Sequence, residues 1–142
     1  LIKKNMFFKN KKNQDEDLIK IAALLIHAAK IDENFSIEEE KIIEDALLNL
    51  GASKQNVKEI IIESKIIEEK ANQILEFTKE VKNMEENKKI QIIETLWRII
   101  YSNKDADIYE TNLMRRLAGL LYIDNKKMGD IKEKIKNKNN SL

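Results

Sequence analysis

Leu25-Ile26-His27-Ala28-Ala29-Lys30-Ile31-Asp32-Glu33-Asn34-Phe35-Ser36-Ile37-Glu38-Glu39 is the stretch on which the fold turns. Its first residues close a run in which Leu18, Ile19, Ala22, Leu25, Ile26 and Ala29 recur at three- and four-residue steps. That spacing predicts an amphipathic helix from about Asp15 to Lys30. A polar break over Ile31 to Phe35 follows. Ser36 then stands three residues before Glu39, the capping-box pattern in which each side chain satisfies the other residue's backbone N–H at a helix start. The second helix is expected to reach Leu50, with Gly51 as its left-handed terminator and Ser53 as the cap of a third helix carrying Val57, Ile60, Ile61, Ile66 and Ile67.

Further along, Ile74, Phe77 and Val81 predict a short fourth helix. Ile90, Ile93, Leu96, Trp97 and Ile100 predict a fifth from about Glu85 to Tyr101. Asp107 and Glu110 repeat the capping pattern ahead of the stripe Leu113, Met114, Leu117, Leu120 and Leu121, and Asp124 can cap a last helix that frays into the Asn/Lys end. Sliding the chain by 71 residues places Glu39 on Glu110, Ile37 on Ile108, Leu50 on Leu121, Ile60 on Ile131, Ser36 on Asp107 and Ser53 on Asp124, which reads as an internal repeat. Neither half could bury its apolar stripe alone. The expected object is one all-α bundle of about seven helices with two pseudo-twofold-related repeats, about 18–64 and 89–135. These lie within a domain over 15–136, between a basic tail at 1–14 and a polar tail at 137–142.

Composition agrees with that class. The chain has 142 residues, no proline and three glycines, which does not suit a turn-rich β fold. By surface scaling a chain this size exposes about 24,000 Å² unfolded and about 7,600 Å² folded, enough burial for one core. Hydrophobic residues make up 42%, too many for a disordered polymer. Zero cysteines remove disulfides, thiol catalysis and Cys-type zinc sites. No apolar run approaches 18 residues, and Met6-Phe7-Phe8 is too short for a signal-peptide core, so a cytoplasmic location is expected. Met6 marks a candidate natural start, which would leave residues 1–5 outside the native chain.

Lys plus Arg number 26 and Asp plus Glu 25, for a net charge of +1, yet the charges are not evenly spread. Lysines crowd both ends, while Asp32 to Asp45 holds seven acids against Lys41 alone. That acidic stretch nominates Glu38, Glu39 and Glu40 as a binding surface. Arg115 and Arg116 are a second candidate, expected to pair with acids of the first repeat. His27, the only histidine, has no Cys, second His or Ser-based triad pattern to work with, so no catalytic residues are assigned. Trp97 is expected in the core. Asp32, Asn34 and Ser36, and likewise Asn103, Asp105 and Asp107, copy the first half of an EF-hand loop. The glycine at position six and the Glu at position twelve are missing, replaced by Ile37 and Ile43, then by Ile108 and Met114, so EF-hand binding is excluded.

The stretch Leu25 to Glu39 resembles the TerB-like pattern, in which an Ala-rich helix runs into Asp-Gly, a hydrophobic residue, and a Glu five residues after the Gly. Its second copy, Leu96-Trp97 through Asn103, Asp105, Asp107, Tyr109 and Glu110 to Arg115-Arg116-Leu117-Ala118, is similar to the second half of the short bacterial TerB-like proteins. The resemblance covers about Leu18 to Ile135. It implies the all-α fold that the tellurite-resistance protein TerB shares with DjlA N-terminal domains, a stress-response association, protein interaction rather than catalysis, and a divalent cation such as Ca or Mg on the recurring acids. By position those acids are Asp32, Glu39 and Glu110. The family glycine is replaced by Glu33 and Lys104, and the second aspartate by Asn103. The function expected is therefore a non-enzymatic module with an unidentified protein partner, homodimer formation included and no cofactor required. The rival is a nucleic-acid or membrane-surface binder using the basic tails, which would lose affinity steeply with salt. No nucleic-acid motif supports that rival.

Overall fold

The computed structural model describes the backbone of residues 2–30, 35–72, 74–102 and 108–140, and side chains within 15–30, 35–72, 74–102 and 112–138. Among the described residues there are seven helices and no strand: α1 Ile2–Ala29, α2 Ile37–Asn49, α3 Val57–Lys70, α4 Leu75–Lys82, α5 Glu86–Ser102, α6 Ile108–Leu120 and α7 Asn125–Asn140. The all-α class and the number of helices are as expected. Two ends are not. α1 begins at Ile2 rather than Asp15, so the segment expected as a basic tail is helical, and α7 runs to Asn140 through most of the segment expected as a polar tail. No proline or glycine occurs before Gly51, so no helix-breaking residue interrupts the first helix.

α1 is the axis of the bundle, and α2, α3, α4 and α5 all pack on it. Ile21, Ala22, Ala23, Leu24, Leu25 and Ile26 are each at most 1% exposed, six successive residues that point all round the helix. The expected one-sided stripe is thus corrected to a helix surrounded by its neighbours. Small residues let them close in. On α3, Ser64 is fully buried and donates its hydroxyl to the Ile19 carbonyl at 3.0 Å, directly between α1 and α3. The buried face of α3 is Val57, Ile60, Ile61, Ser64 and Glu68, whereas Ile62, Ile66 and Ile67 face solvent. This corrects the expectation that Ile66 and Ile67 belong to the inner stripe. The polar pair Ser64 and Glu68 sits there instead, because each finds a partner on α1.

In the second half α7 packs along α5, and α6 contacts α4 and α7. Two ion pairs, Lys127 to Glu86 at 2.7 Å and Lys134 to Glu94 at 3.1 Å, link α7 to α5. Lys89 is buried on α5 and donates from Nζ to the Leu121 carbonyl at 3.1 Å, supplying a cationic donor to a carbonyl just past the end of α6.

Local bonding recurs at the 71-residue spacing. α2 and α6 are both 13 residues long and start 71 apart. After α2, Ala52 N–H donates to the Leu47 carbonyl and Gly51 N–H to that of Leu48. After α6, Ile123 N–H donates to the Ala118 carbonyl and Tyr122 N–H to that of Gly119. Both ends are Schellman motifs. An Asp124 carboxylate oxygen then caps α7, accepting from Lys127 N–H at 2.7 Å, whereas the cap expected at Ser53 is corrected: Ser53 Oγ accepts from Asn56 N–H at 3.1 Å in the turn before α3, whose own N-cap Asn56 makes no side-chain cap bond. The motif needs a left-handed residue, which Gly51 supplies at φ 119° and Tyr122 at φ 58°. A side chain costs about 1–2 kcal/mol in that conformation. Tyr122→Gly should therefore stabilise the fold by about 0.5–1 kcal/mol, after loss of the Lys82 contact to the Tyr122 ring at 5.2 Å and the entropy of an added glycine. Urea denaturation measures this, and an unchanged or lower midpoint would refute the strain at Tyr122.

Candidate functional site

The acidic start of α2 is built from its cap outward. Ser36 is extended, at φ −84° and ψ 162°, and its Oγ accepts from Glu39 N–H at 3.1 Å while Glu39 Oε1 accepts from Ser36 N–H at 3.0 Å. The capping box expected from the spacing is complete. It draws Glu39 inward, to 0% exposure, so of the three nominated glutamates only Glu38 and Glu40 reach solvent. Glu40 pairs with Lys65 on α3, and the Lys65 ammonium also stands 5.6 Å from the centroid of the Phe35 ring. Ile37, the first helical residue, is 87% exposed between the cap and these acids. Asp32, and the side chain of Glu110, lie outside the described residues. Among the described residues no three His, Cys, Asp or Glu side chains converge as a metal centre.

Beside this turn is a cluster that sequence reasoning missed. Glu68, buried on α3, accepts from Lys30 Nζ at 2.7 Å and lies 3.3 Å from His27 Nδ1. His27 and Lys30 are three residues apart on α1 and so share a face. The partner that the sequence does not show for His27 is this carboxylate. Lys30 makes the shorter contact, and Glu68 is shared between this ammonium and the imidazole. The signal is present in the sequence: Glu68 falls four residues after Ser64 and seven after Ile61, on a stripe otherwise facing the core.

A second carboxylate pair lies between α1 and α4. Lys20 Nζ donates to Glu80 Oε1 at 2.9 Å. Burial, then the charge of Glu80, raises the Asp17 carboxyl above the ordinary aspartate range against the opposing pull of Lys20. A folded-state value above the unfolded one means that the native state binds the proton more tightly, so stability declines as pH rises from the ordinary aspartate range through the raised value. Asp17→Asn should then stabilise the protein at neutral pH and lose that advantage in acid. The gain is a fraction of 1 kcal/mol because Asp17 is largely solvated. Melts across the acid range check it; a variant less stable at neutral pH would show that the Lys20 attraction dominates.

Arg115 and Arg116 are exposed on α6. Their expected ion pairs with acids of the first half do not form among the described residues. Arg115 instead borders an open groove of about 340 Å³ between α5, α6 and α7, lined also by Trp97, Met114, Met128 and Lys132. Trp97 is 2% exposed, as expected of a core residue, and stacks on Tyr101 with centroids 5.9 Å apart. Lys132 Nζ stands 5.4 Å from the Trp97 ring centroid, and the buried indole N–H has no hydrogen-bond acceptor. Buried indole N–H groups usually find a partner, and leaving one unmade costs about 1–3 kcal/mol.

A family model described as tellurite resistance protein TerB matches residues 18–133. The chain belongs to the TerB family. No curated protein and no solved structure gives a significant match. The matched TerB region starts inside α1, ends inside α7, and contains the α2 turn, the Glu68 cluster and the Trp97 groove. Among the described residues no helix of this TerB protein is long and apolar enough to cross a membrane.

Proposed function

We propose that this TerB-family chain is a non-enzymatic protein-interaction module and that it meets its partner at the start of α2. One observation carries the reading: Ile37 projects into solvent at 87% exposure with Glu38 and Glu40 beside it. Large apolar side chains on a helix tip gain nothing for the fold, whereas an apolar knob with flanking charge is what a specific interface buries at its centre and rims with polar groups. The polyanion reading has less support, because two α7 lysines are already matched by carboxylates, Lys127 by Glu86 and Lys134 by Glu94.

The test is affinity capture from cells with wild type and with Glu38→Lys, Glu40→Lys. Glu39 is left in place so that the cap survives. A protein retained by wild type and lost by the variant, with unchanged helicity, is the expected result. The interaction should also weaken with added salt, as exposed charge pairs do. Equal retention of every partner by both forms would remove the α2 turn from the interface.

A further inference from the structure

The groove between α5, α6 and α7 has the chemistry of a receptor rather than of a packing defect. Its floor is apolar, from Trp97, Met114 and Met128, and two cations, Arg115 and Lys132, border it. Trp97 lines it and carries a buried N–H donor with no acceptor. An occupant that fits brings an apolar side chain and carboxylates for the two cations. The start of α2 in this same chain presents that set: Ile37, almost fully exposed, with Glu38 and Glu40 in the same helical turn. In one molecule the isoleucine stays in solvent and the groove stays open. We propose that the Trp97 groove receives the Ile37-Glu38-Glu40 turn of a second copy of this chain. This rests on the reading of the α2 turn as an interaction surface and names its partner.

The two surfaces are different patches, so the contact is heterologous. Each bound copy still presents a free groove or a free turn, and association continues into short chains unless the rotation closes a ring. Charge steers the encounter, and the buried isoleucine holds it. Arg115 is exposed, so the groove can be reversed in charge without opening the core.

Sedimentation of the full chain from micromolar to millimolar concentration is the test. Wild type should gain mass past the dimer as concentration rises. Glu38→Arg, Glu40→Arg should stay monomeric, and so should Arg115→Glu, Lys132→Glu. Mixing the two variants should restore association past the heterodimer, because the reversed turn fits the reversed groove and the unaltered turn fits the unaltered groove, so the two variants alternate along a chain. Emission from Trp97, the sole tryptophan, should shift in the mixture and in neither variant alone. Lys79→Glu, Lys82→Glu reverses the charge of a neighbouring groove beside Leu75 and Tyr122 and should change nothing. A wild type that remains monomeric throughout overturns the proposal, as does a mixture that stays monomeric or association lost only in Lys79→Glu, Lys82→Glu. If Arg115→Glu, Lys132→Glu loses its helicity, Arg115→Glu alone replaces it in the mixture. Capture of a different protein by the groove variant would leave the α2 reading standing while self-association fails.

Discussion

Glu39→Lys should lower stability by about 3–5 kcal/mol, whereas Glu38→Lys, one residue earlier, should cost less than about 0.5 kcal/mol. The difference comes from burial. Glu39 is 0% exposed, and its Oε1 holds the Ser36 N–H at 3.0 Å. A lysine there takes away the acceptor, leaves a backbone donor unmade, and places a cation at the positive end of the α2 dipole in a site from which water is excluded. Glu38 is exposed and gives up only its favourable interaction with that dipole. For a domain of this size, 1 kcal/mol moves the melting temperature by about 2–4 °C, so the Glu39→Lys variant should melt at least about 6 °C below wild type. Glu39→Gln keeps an acceptor oxygen and should recover most of the loss. Equal melting temperatures for the two lysine variants would place Glu39 at the surface. The consequence for function is direct: reversing Glu38, Glu39 and Glu40 together would abolish binding by unfolding the cap, and would say nothing about the acidic face.

What is legible in the sequence follows the range of the forces involved. The start and end of α2 and the start of α7 are local events, written in Ser36 with Glu39, in Gly51 and in Asp124, and each of these residues makes the bond its type and spacing require, whereas the cap expected at Asp107 and Glu110 lies outside the described residues. The left-handed residue after α6 is not legible, because a tyrosine does nothing to announce positive φ; only its place 71 residues after Gly51 does. The α1 boundary is hidden for a related reason. Lys, Asn and Phe neither cap nor break a helix, so the loss of periodicity before Asp15 looks like the loss of helix. Side-chain direction on α3 is obscured because Ile60, Ile61, Ile62, Ile66 and Ile67 are too many for one stripe. The choice among them is made by what α1 and Lys30 just past its end present, namely a close approach at Ser64 and an imidazole and an ammonium for Glu68. Candidate sites divide in the same way. The acidic turn is one segment and can be read directly, although which of its three glutamates turns inward depends on the cap. The Trp97 groove needs three helices side by side, and Arg115 can be nominated only as a charge. The side chains it actually joins, Met114, Met128 and Lys132, are ordinary helix residues until α7 lies along α5.

Phe77→Ala carries the other large expected effect, a loss of about 3–5 kcal/mol, and it tests what a helix of eight residues contributes. A segment that short has no stability of its own in water, since nucleation is costly and few hydrogen bonds follow it. α4 therefore exists because it is packed. Ile74, Phe77 and Val81, at steps of three and four, are 3%, 1% and 0% exposed, and they bring α4 onto α1. Phe77 is among the largest fully buried side chains in the protein, and its removal leaves a void that the surrounded central helix cannot readily collapse into. The ion pair from Lys20 to Glu80 lies on the same α1–α4 contact but is partly solvated, so Glu80→Gln should cost less than about 1 kcal/mol. Apolar burial and the surface pair are thereby separated by two variants on one helix. If Phe77→Ala melted like wild type while Glu80→Gln were the damaging change, α4 would be an electrostatic strap. The expected order instead makes it the buried link that holds the two halves of the bundle against α1, because α4 also touches α6.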